Sequence, residues 1–311
     1  MKKSFLSGLA ALMFLVVVPF ACRKSISETE TEINPIRPKP NGFDTTHTVH
    51  DSTTTEPAQT VPYPETGVTG CAYAPDYGDS LIYPQPTGND YIIQPVNNPG
   101  AGKYFSWPQG LVIDSLTGAI NVTKSETGER FAIGFVKNGT TDTCMQNLIL
   151  GGAAYMDSIY VLANNQTQAS PYYNADPLQA PPCNGSNVSG PGCQYDVSGD
   201  AAGKRIIIDK NTGVIDLKKT LNGTSLLGGA FGLLPVNGQI VETTIYYRLN
   251  DGSNNALQHI TVQLMYFNSK SQISTTLLDN VLLKVNNILT GNIISKSGNP
   301  RPPLIIITRF N

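Results

Sequence analysis

Apolar and polar residues alternate over short stretches of this chain, and turn residues separate the stretches. In His259–Phe267 the apolar residues fall among polar ones in the largely alternating order of a half-buried strand. Two stretches lead into Asn138-Gly139 and Asp251-Gly252, dipeptides that are typical of β-hairpin turns. The predicted hairpin strands are Phe131–Val136 with Met145–Leu150, and Ile245–Leu249 with His259–Phe267. Short strands with turn signals at regular spacing predict an all-β fold built from β-sandwiches.

One ten-residue pattern occurs twice. Leu111–Ile120 matches Ile206–Ile215 at an offset of 95 residues, and each contains three apolar residues, Asp-x-x-Thr-Gly and a further apolar residue. The pattern predicts a strand, a tight turn and a second strand, because glycine supplies a positive φ and the aspartate accepts backbone N–H groups. The predicted turn residues are Asp114 and Gly118 in the first copy, and Asp209 and Gly213 in the second.

Other matches recur in the same order along the chain. Tyr77–Ile82 matches Tyr155–Tyr160 at an offset of 78, and Ala101–Lys103 matches Ala202–Lys204 at an offset of 101. The rise from 78 to 101 predicts that the second copy holds 23 extra residues between these matches. The offset rises again, from 95 at the repeated pattern to 113 between the turns Asn138-Gly139 and Asp251-Gly252. This predicts 18 more extra residues in the second copy, around Gly228–Val236. We therefore interpret the chain as two copies of one module.

The repeated core, with its following strand and glycine hairpin, resembles the middle of cadherin-like and related bacterial immunoglobulin-like modules. The resemblance implies two tandem Ig-like/cadherin-like β-sandwiches. We place the first domain at residues 67–151 and the second at 152–311, with an insertion at about 163–201. The acidic calcium motifs of cadherins have no counterpart, since Ser125–Gly128 and Thr220–Gly223 stand at the first of these places.

The C-terminal part contains one candidate helix. Apolar residues within 277–289 recur at helical spacing and favour a short amphipathic helix packed on the second sandwich. The segment Val281–Val285 taken alone is also compatible with a strand. Leu304–Thr308 is a predicted buried final strand, and Pro302-Pro303 before it suits a strand entry.

The first 22 residues resemble a bacterial lipoprotein signal. Lys2-Lys3 precede the apolar run Leu9–Phe20, and Cys22 follows the small residue Ala21. The resemblance implies cleavage after residue 21 and acylation of Cys22; an ordinary secretory signal cut near Ala21 is the alternative. Residues 22–66 are rich in proline and poor in large apolar residues, which predicts a disordered tether. We expect an outer-membrane lipoprotein, facing the periplasm or the cell surface and held to the membrane by its lipid.

The remaining cysteines are even in number, which suggests two disulfides in an exported chain. Cys183 and Cys193 lie ten residues apart in a loop rich in Gly, Pro and Asn, and would form a local staple. Cys71 and Cys144 would then join the first and last strands of the first domain. Three pairings are open from the sequence alone.

Composition and motifs exclude several function classes. The chain has 21 Lys+Arg and 23 Asp+Glu, so it lacks the basic excess that nucleic-acid binding requires. We find no hydrolase, metalloprotease or phosphate-loop motif, and expect no enzyme activity, metal or cofactor. Of three histidines, His259 alone lies on a predicted strand, where we expect a structural role.

The anchor, the tether and the tandem domains favour a binding or adhesion module of the cell envelope. Its ligand would be a glycan or an envelope protein. Tyr172, Tyr173 and Asn174 in the insertion are the candidate ligand-binding residues, because tyrosine rings stack on sugars and also form protein hot spots. The alternative is a structural accessory subunit of an outer-membrane uptake or secretion complex.

Overall fold

The structure is a computed structural model that describes residues 71–183, 192–224, 226–289 and 302–311, with the side chains of 283–289 left aside. The predicted signal peptide, Cys22 and the predicted tether lie outside the described residues. Strands dominate the described part, and this confirms the all-β prediction. Within it, no helix is long and apolar enough to cross a bilayer.

Fourteen strands and three helices follow one another along the described residues. The strands are β1 Leu81–Ile82, β2 Ile92–Ile93, β3 Gly102–Trp107, β4 Ile120–Asn121, β5 Arg130–Lys137, β6 Thr143–Leu150, β7 Ala153–Tyr155, β8 Ser158–Val161, β9 Gln168–Ala169, β10 Pro171–Tyr173, β11 Ile215–Asp216, β12 Gln239–Tyr247, β13 Gln258–Ser269 and β14 Leu304–Phe310. The helices are α1 Asp200–Gly203, α2 Leu217–Asn222 and α3 Thr275–Leu289.

The first large sheet has the strand order β1-β6-β5-β3. β5 and β6 form the predicted hairpin around Asn138-Gly139, and β3 pairs antiparallel to β5. β1 closes the sheet by pairing parallel to β6. Phe131, Ile133 and Phe135 point from β5 into a core that also holds Leu111. This alternate spacing places the large apolar side chains of one strand on one face, where their burial stabilises the sheet.

The second large sheet has the strand order β12-β13-β14-β8. β12 and β13 are antiparallel, whereas β14 runs parallel to both β13 and β8. Ile245, Ile260, Val262 and Ile305 lie in its core with no exposed surface. The predicted strand Ile245–Leu249 is displaced: β12 begins and ends earlier, and residues 248–257, which contain Asp251-Gly252, connect it to β13.

The C-terminal segment forms the predicted helix rather than a strand. α3 spans residues 275–289, and Val281 is buried against β13 and β14 in a cluster with Phe267 and Ile306. Two leucines, Leu277 and Leu278, pack partly against the same cluster. The helical spacing of these residues gives one apolar stripe, which a strand over 281–285 would split between two faces.

The two copies of the repeated turn have the same hydrogen bonds. Asp114 Oδ1 accepts from the N–H groups of residues 116 and 117 at 2.8 Å, and Asp209 Oδ1 accepts from residues 211 and 212 at 2.8 and 2.9 Å. The glycines that follow, Gly118 and Gly213, have φ of +72° and +74°. The backbone N–H groups of Asn211 and Thr212 hold the pKa of Asp209 below its usual range.

Tyrosines cover both turns in the same way. The Tyr77 hydroxyl donates to the carbonyl of Gly118 at 2.6 Å, and the Tyr155 hydroxyl donates to the carbonyl of Gly213. A second ring, that of Tyr104 in the first copy, lies over its glycine so closely that a Cβ there would meet it at 2.6 Å. In the second copy, the ring of residue 195 does the same at 2.5 Å. The repeat therefore extends to side chains that the sequence motif does not contain.

This correspondence corrects one part of the predicted alignment. Ala101–Lys103 leads into β3, whereas Ala202–Lys204 closes helix α1, so the two tripeptides are not equivalent. The equivalent residues are Tyr104 and Tyr195, at an offset of 91. The offset thus rises from 78 to 91 and then to 95 at Asp209, which places 13 extra residues before Tyr195 and four after it. The two identical tripeptides are therefore a chance match, because one lies at the start of a strand and the other at the end of a helix.

The second sheet contains one strand without an equivalent in the first. β1 pairs directly with β6, but its counterpart β8 is separated from β13 by β14. Both neighbours of β14 are parallel to it, and four consecutive residues from Leu304 to Ile307 are buried. Such a strand is apolar on both faces, which explains its continuous run of large aliphatic residues.

A buried hydrogen-bond network joins the second large sheet to β7 and to the loop that precedes β5. The Tyr247 hydroxyl accepts from the backbone N–H of Ala153 at 2.8 Å and donates to the carbonyl of the same residue at 2.9 Å. It also lies 2.6 Å from the Thr127 hydroxyl, whose oxygen lies 3.1 Å from the carbonyl of His259. Burial raises the pKa of Tyr247, so the phenol keeps its proton and remains a donor.

The cysteines pair as Cys71 with Cys144 and Cys183 with Cys193. Their Cα atoms lie 5.4 and 5.0 Å apart, within the ordinary range for a disulfide. The first bond fixes the start of the described chain to β6, and the second closes a loop in the insertion.

Candidate functional site

The predicted ligand residues of the insertion lie at the junction between the sheets. Tyr172 belongs to β10 and its side chain is only 5% exposed. The Tyr173 hydroxyl donates to Asp251 Oδ2 at 3.0 Å and lies 3.1 Å from the Tyr83 hydroxyl. Asn174 donates to the same Tyr83 oxygen at 2.7 Å. These side chains connect the insertion to both copies of the repeat.

This placement corrects the expectation that the tyrosine pair is displayed to a ligand. β10 pairs with β7, which draws the ring of Tyr172 into the core of the second sheet. Burial raises the pKa of Tyr172 well above its usual value. Tyr173 and Asn174 are half-buried and bonded within the chain, so a contact between either and a ligand stays a prediction.

A polar cleft of about 230 Å³ lies beside β8, on the edge of the second sheet. It is formed where the chain leaves β8, passes through the single 3-10 turn Leu162–Asn164 and returns as β9. Asn165 ends the turn with φ of +60°, a conformation that asparagine tolerates better than most residues. The lining residues are Ser158, Ile159, Tyr160, Asn165, Gln166, Thr167 and Gln168.

The backbone around the cleft is fixed by local hydrogen bonds. Gln166 Oε1 accepts from the N–H of Val161 at 2.8 Å, which turns the chain back along the end of β8. The carbonyl of Thr167 accepts from the N–H of Leu217 at 2.9 Å, which joins the wall of the cleft to α2. Asn165 and Gln168 are exposed, with no side-chain partner among the described residues. Their amide groups are therefore free to meet a ligand.

The cleft has no formal charge. Its lining contains amides, hydroxyls, one aliphatic side chain and the ring of Tyr160. Burial raises the pKa of Tyr160 against a smaller opposite effect of its hydrogen bond with Ser158, so the phenol is neutral. Amides offer donors and acceptors together, which is the chemistry that matches the hydroxyl groups of a neutral sugar. No carboxylate lines the cleft to act as a general acid or base.

This cleft was not predicted from the sequence, because the sequence points instead to the pair Tyr172-Tyr173 as the candidate ligand site. The available signal was the run of amides and a hydroxyl at residues 164–168. Within the described residues, no three histidine, cysteine or carboxylate side chains lie close enough together to hold a metal ion. The repeated turn residues Asp114 and Asp209 use their carboxylates within their own turns, as the sequence predicts.

No family model matches the chain, and no curated protein is similar to it in sequence. Among solved structures, it is similar to a SusE-like surface-located polysaccharide-binding protein from the heparin utilisation locus of Bacteroides thetaiotaomicron. The identity is 13% and the TM-score is 0.18. The match covers 65% of this chain and 30% of that one, so the chain spans a minor part of its length. A likeness of this strength carries no argument about the ligand.

Proposed function

We propose that the chain is a non-catalytic binding module of the bacterial cell envelope, and that the cleft beside β8 binds a neutral glycan. The observation that supports this proposal is the lining of the cleft, which combines uncharged amides and hydroxyls with one tyrosine ring. Carbohydrate hydroxyls need donors and acceptors side by side, and an aromatic ring gives an apolar face for the sugar ring. The volume of about 230 Å³ suits one sugar residue of a longer chain.

The experiment is a binding screen on neutral and on charged polysaccharides with two cleft variants. Asn165→Gly removes an amide while keeping the positive φ, and Gln168→Ala removes a second exposed amide. We expect both variants to weaken the binding of a neutral glycan, by about tenfold for each lost hydrogen bond to a buried sugar hydroxyl. Gln146→Ala, at an exposed position of β6 in the first sheet, is the matched control.

Three results would contradict the proposal. Equal glycan binding by the wild type and both cleft variants would remove the cleft as the site. Binding restricted to acidic polysaccharides would conflict with the uncharged lining, which offers an anion no cationic partner. Steady turnover of a bound polysaccharide would contradict the non-catalytic part of the proposal.

We further propose that Cys22 is acylated and that residues 22–66 tether the module to the outer membrane, on its periplasmic or its outer face. The lipoprotein-like signal supports this assignment. Replacing Cys22 by serine should release the protein from the membrane fraction. In the same way, the two equivalent Asp-x-x-Thr-Gly turns support the tandem Ig-like/cadherin-like organisation.

A further inference from the structure

The segment 226–236, here called the apolar loop, carries an unusual concentration of exposed aliphatic side chains. Five of its residues are between 64% and 94% exposed: Leu226, Leu227, Leu233, Leu234 and Val236. Apolar side chains scattered singly over a surface are normal, but a contiguous group of this kind marks an interaction surface. The sequence already singles out this region as an addition to the second copy.

The apolar loop is held in place by contacts of its backbone and of one side chain. Gly229 and Gly232 form an isolated antiparallel bridge, so the two leucine pairs flank a tight reversal of the chain. Its base touches α2 so closely that a Cβ at Gly229 would meet the carbonyl oxygen of Thr220 at 2.0 Å. Phe231 is buried against Tyr266, with 5.9 Å between the ring centroids. The one aromatic side chain therefore anchors the loop inward, and the aliphatic ones are left outside.

The composition of the exposed group favours lipid over a protein partner. Protein hot spots are enriched in Trp, Tyr and Arg and are poor in leucine, whereas the apolar loop exposes only aliphatic residues. Segments that lie in a bilayer interface instead combine aliphatic side chains with nearby Lys and Arg.

One cation contacts the apolar loop, and a second lies on the helix that supports it. Arg205 is exposed and its Nη1 donates to the carbonyl of Leu227 at 3.1 Å, so this charge is fixed beside the first leucine pair. Lys218 is exposed on α2, the helix that supports the loop. The ion pairs of the described residues use Lys124, Lys204 and Lys219, and none of them includes Arg205 or Lys218. These two charges are available for anionic headgroups.

We propose that the apolar loop inserts its leucine side chains into the interface of a lipid bilayer with anionic headgroups, while Arg205 and Lys218 contact the headgroup phosphates. The apolar side chains would then reach the depth of about 5–10 Å at which interfacial segments lie. This contact is separate from acylation at Cys22 and from glycan binding, because it uses other residues. It would fix the orientation of the second sheet relative to the membrane.

The test places a fluorescent reporter in the apolar loop of the full chain. Leu234→Trp puts an indole at a position that is 88% exposed, and Trp107, the one native tryptophan, is 7% exposed and gives a constant background. The protein is bound to vesicles of phosphatidylethanolamine with phosphatidylglycerol, in which part of the phospholipid carries bromine on its acyl chains. Bromine quenches only an indole that enters the acyl region. Leu116→Trp, at a 70% exposed apolar position of the first copy, is the matched control.

We expect a blue shift and bromolipid quenching for Leu234→Trp and neither for Leu116→Trp. Exchanging phosphatidylglycerol for phosphatidylcholine should lower the quenching, since each cation near an anionic surface changes the affinity about fivefold. Absence of quenching at Leu234→Trp, or equal quenching at both positions, would overturn the proposal. A reporter that is blue-shifted in native envelopes but unquenched by bromolipid would also overturn it, and would assign the loop to an apolar protein surface.

Discussion

Replacing Tyr247 by phenylalanine tests how much the buried network that joins β12 to β7 and to the loop before β5 contributes to stability. The ring would keep its packing, but the hydroxyl that serves both backbone groups of Ala153 would be lost. The Thr127 hydroxyl would retain the carbonyl of His259 at 3.1 Å as an acceptor. The substitution therefore leaves two buried main-chain groups without this partner.

The expected magnitude follows from that count. A buried donor or acceptor left unsatisfied costs about 1–3 kcal/mol, so the loss of a partner for two groups should lower the free energy of unfolding by roughly 2–6 kcal/mol. For a folded protein of this size each kcal/mol shifts Tm by about 2–4 °C, which gives a decrease of roughly 4–24 °C.

The assay is thermal and urea unfolding followed by circular dichroism, with Tyr246→Phe as the control. Tyr246 is the neighbouring residue on β12 and its ring packs against His259 with 5.4 Å between the centroids. Its substitution should shift Tm by no more than a degree or two. Equal Tm values for Tyr247→Phe and the control would refute the reasoning, because the network would then contribute nothing to stability.

Three further predictions concern the turns, pH and the insertion. Gly213→Ala should destabilise the protein more than Gly139→Ala, since both glycines have positive φ but only Gly213 faces a ring at 2.5 Å; equal urea midpoints would contradict this. Burial lowers the pKa of His259, so the unfolded state binds the proton more readily. Stability should be constant above about pH 6.5 and fall as the pH drops from there to the folded pKa, and His259→Gln should remove that slope. Replacing Cys183 and Cys193 by serine should lower the free energy of unfolding in urea by roughly 2–3 kcal/mol, and a loss indistinguishable from zero would contradict this prediction.

Features governed by neighbouring residues were predictable from the sequence. The Asp-x-x-Thr-Gly turns, the β5–β6 hairpin and helix α3 each depend on chemistry within a few residues: a carboxylate facing backbone N–H groups, a glycine with positive φ, and an apolar stripe. The strand Leu304–Thr308 was also predicted, because a continuous aliphatic run indicates burial on both faces.

Features that depend on distant parts of the chain were not predictable. The position of β14 between β13 and β8 rests on parallel pairing, which leaves no local turn signal. The tripeptide Ala202–Lys204 suggested a false equivalence because α1 replaces a strand there. From the sequence, Tyr172 is predicted to be exposed to a ligand in a loop. Its ring is buried because β10 pairs with β7, and the sequence contains no local signal for that pairing.

The insertion of β14 has a consequence for the order in which the chain can fold. All strands of the first sheet have been synthesised by residue 150, so that sheet can close early. The second sheet must wait for residues 304–310, whose first residue bonds to Asp157 across 147 positions of sequence. Until then β8 and β13 expose unpaired edges that can join other chains. A nascent chain would therefore need protection from aggregation until the residues of β14 have been synthesised.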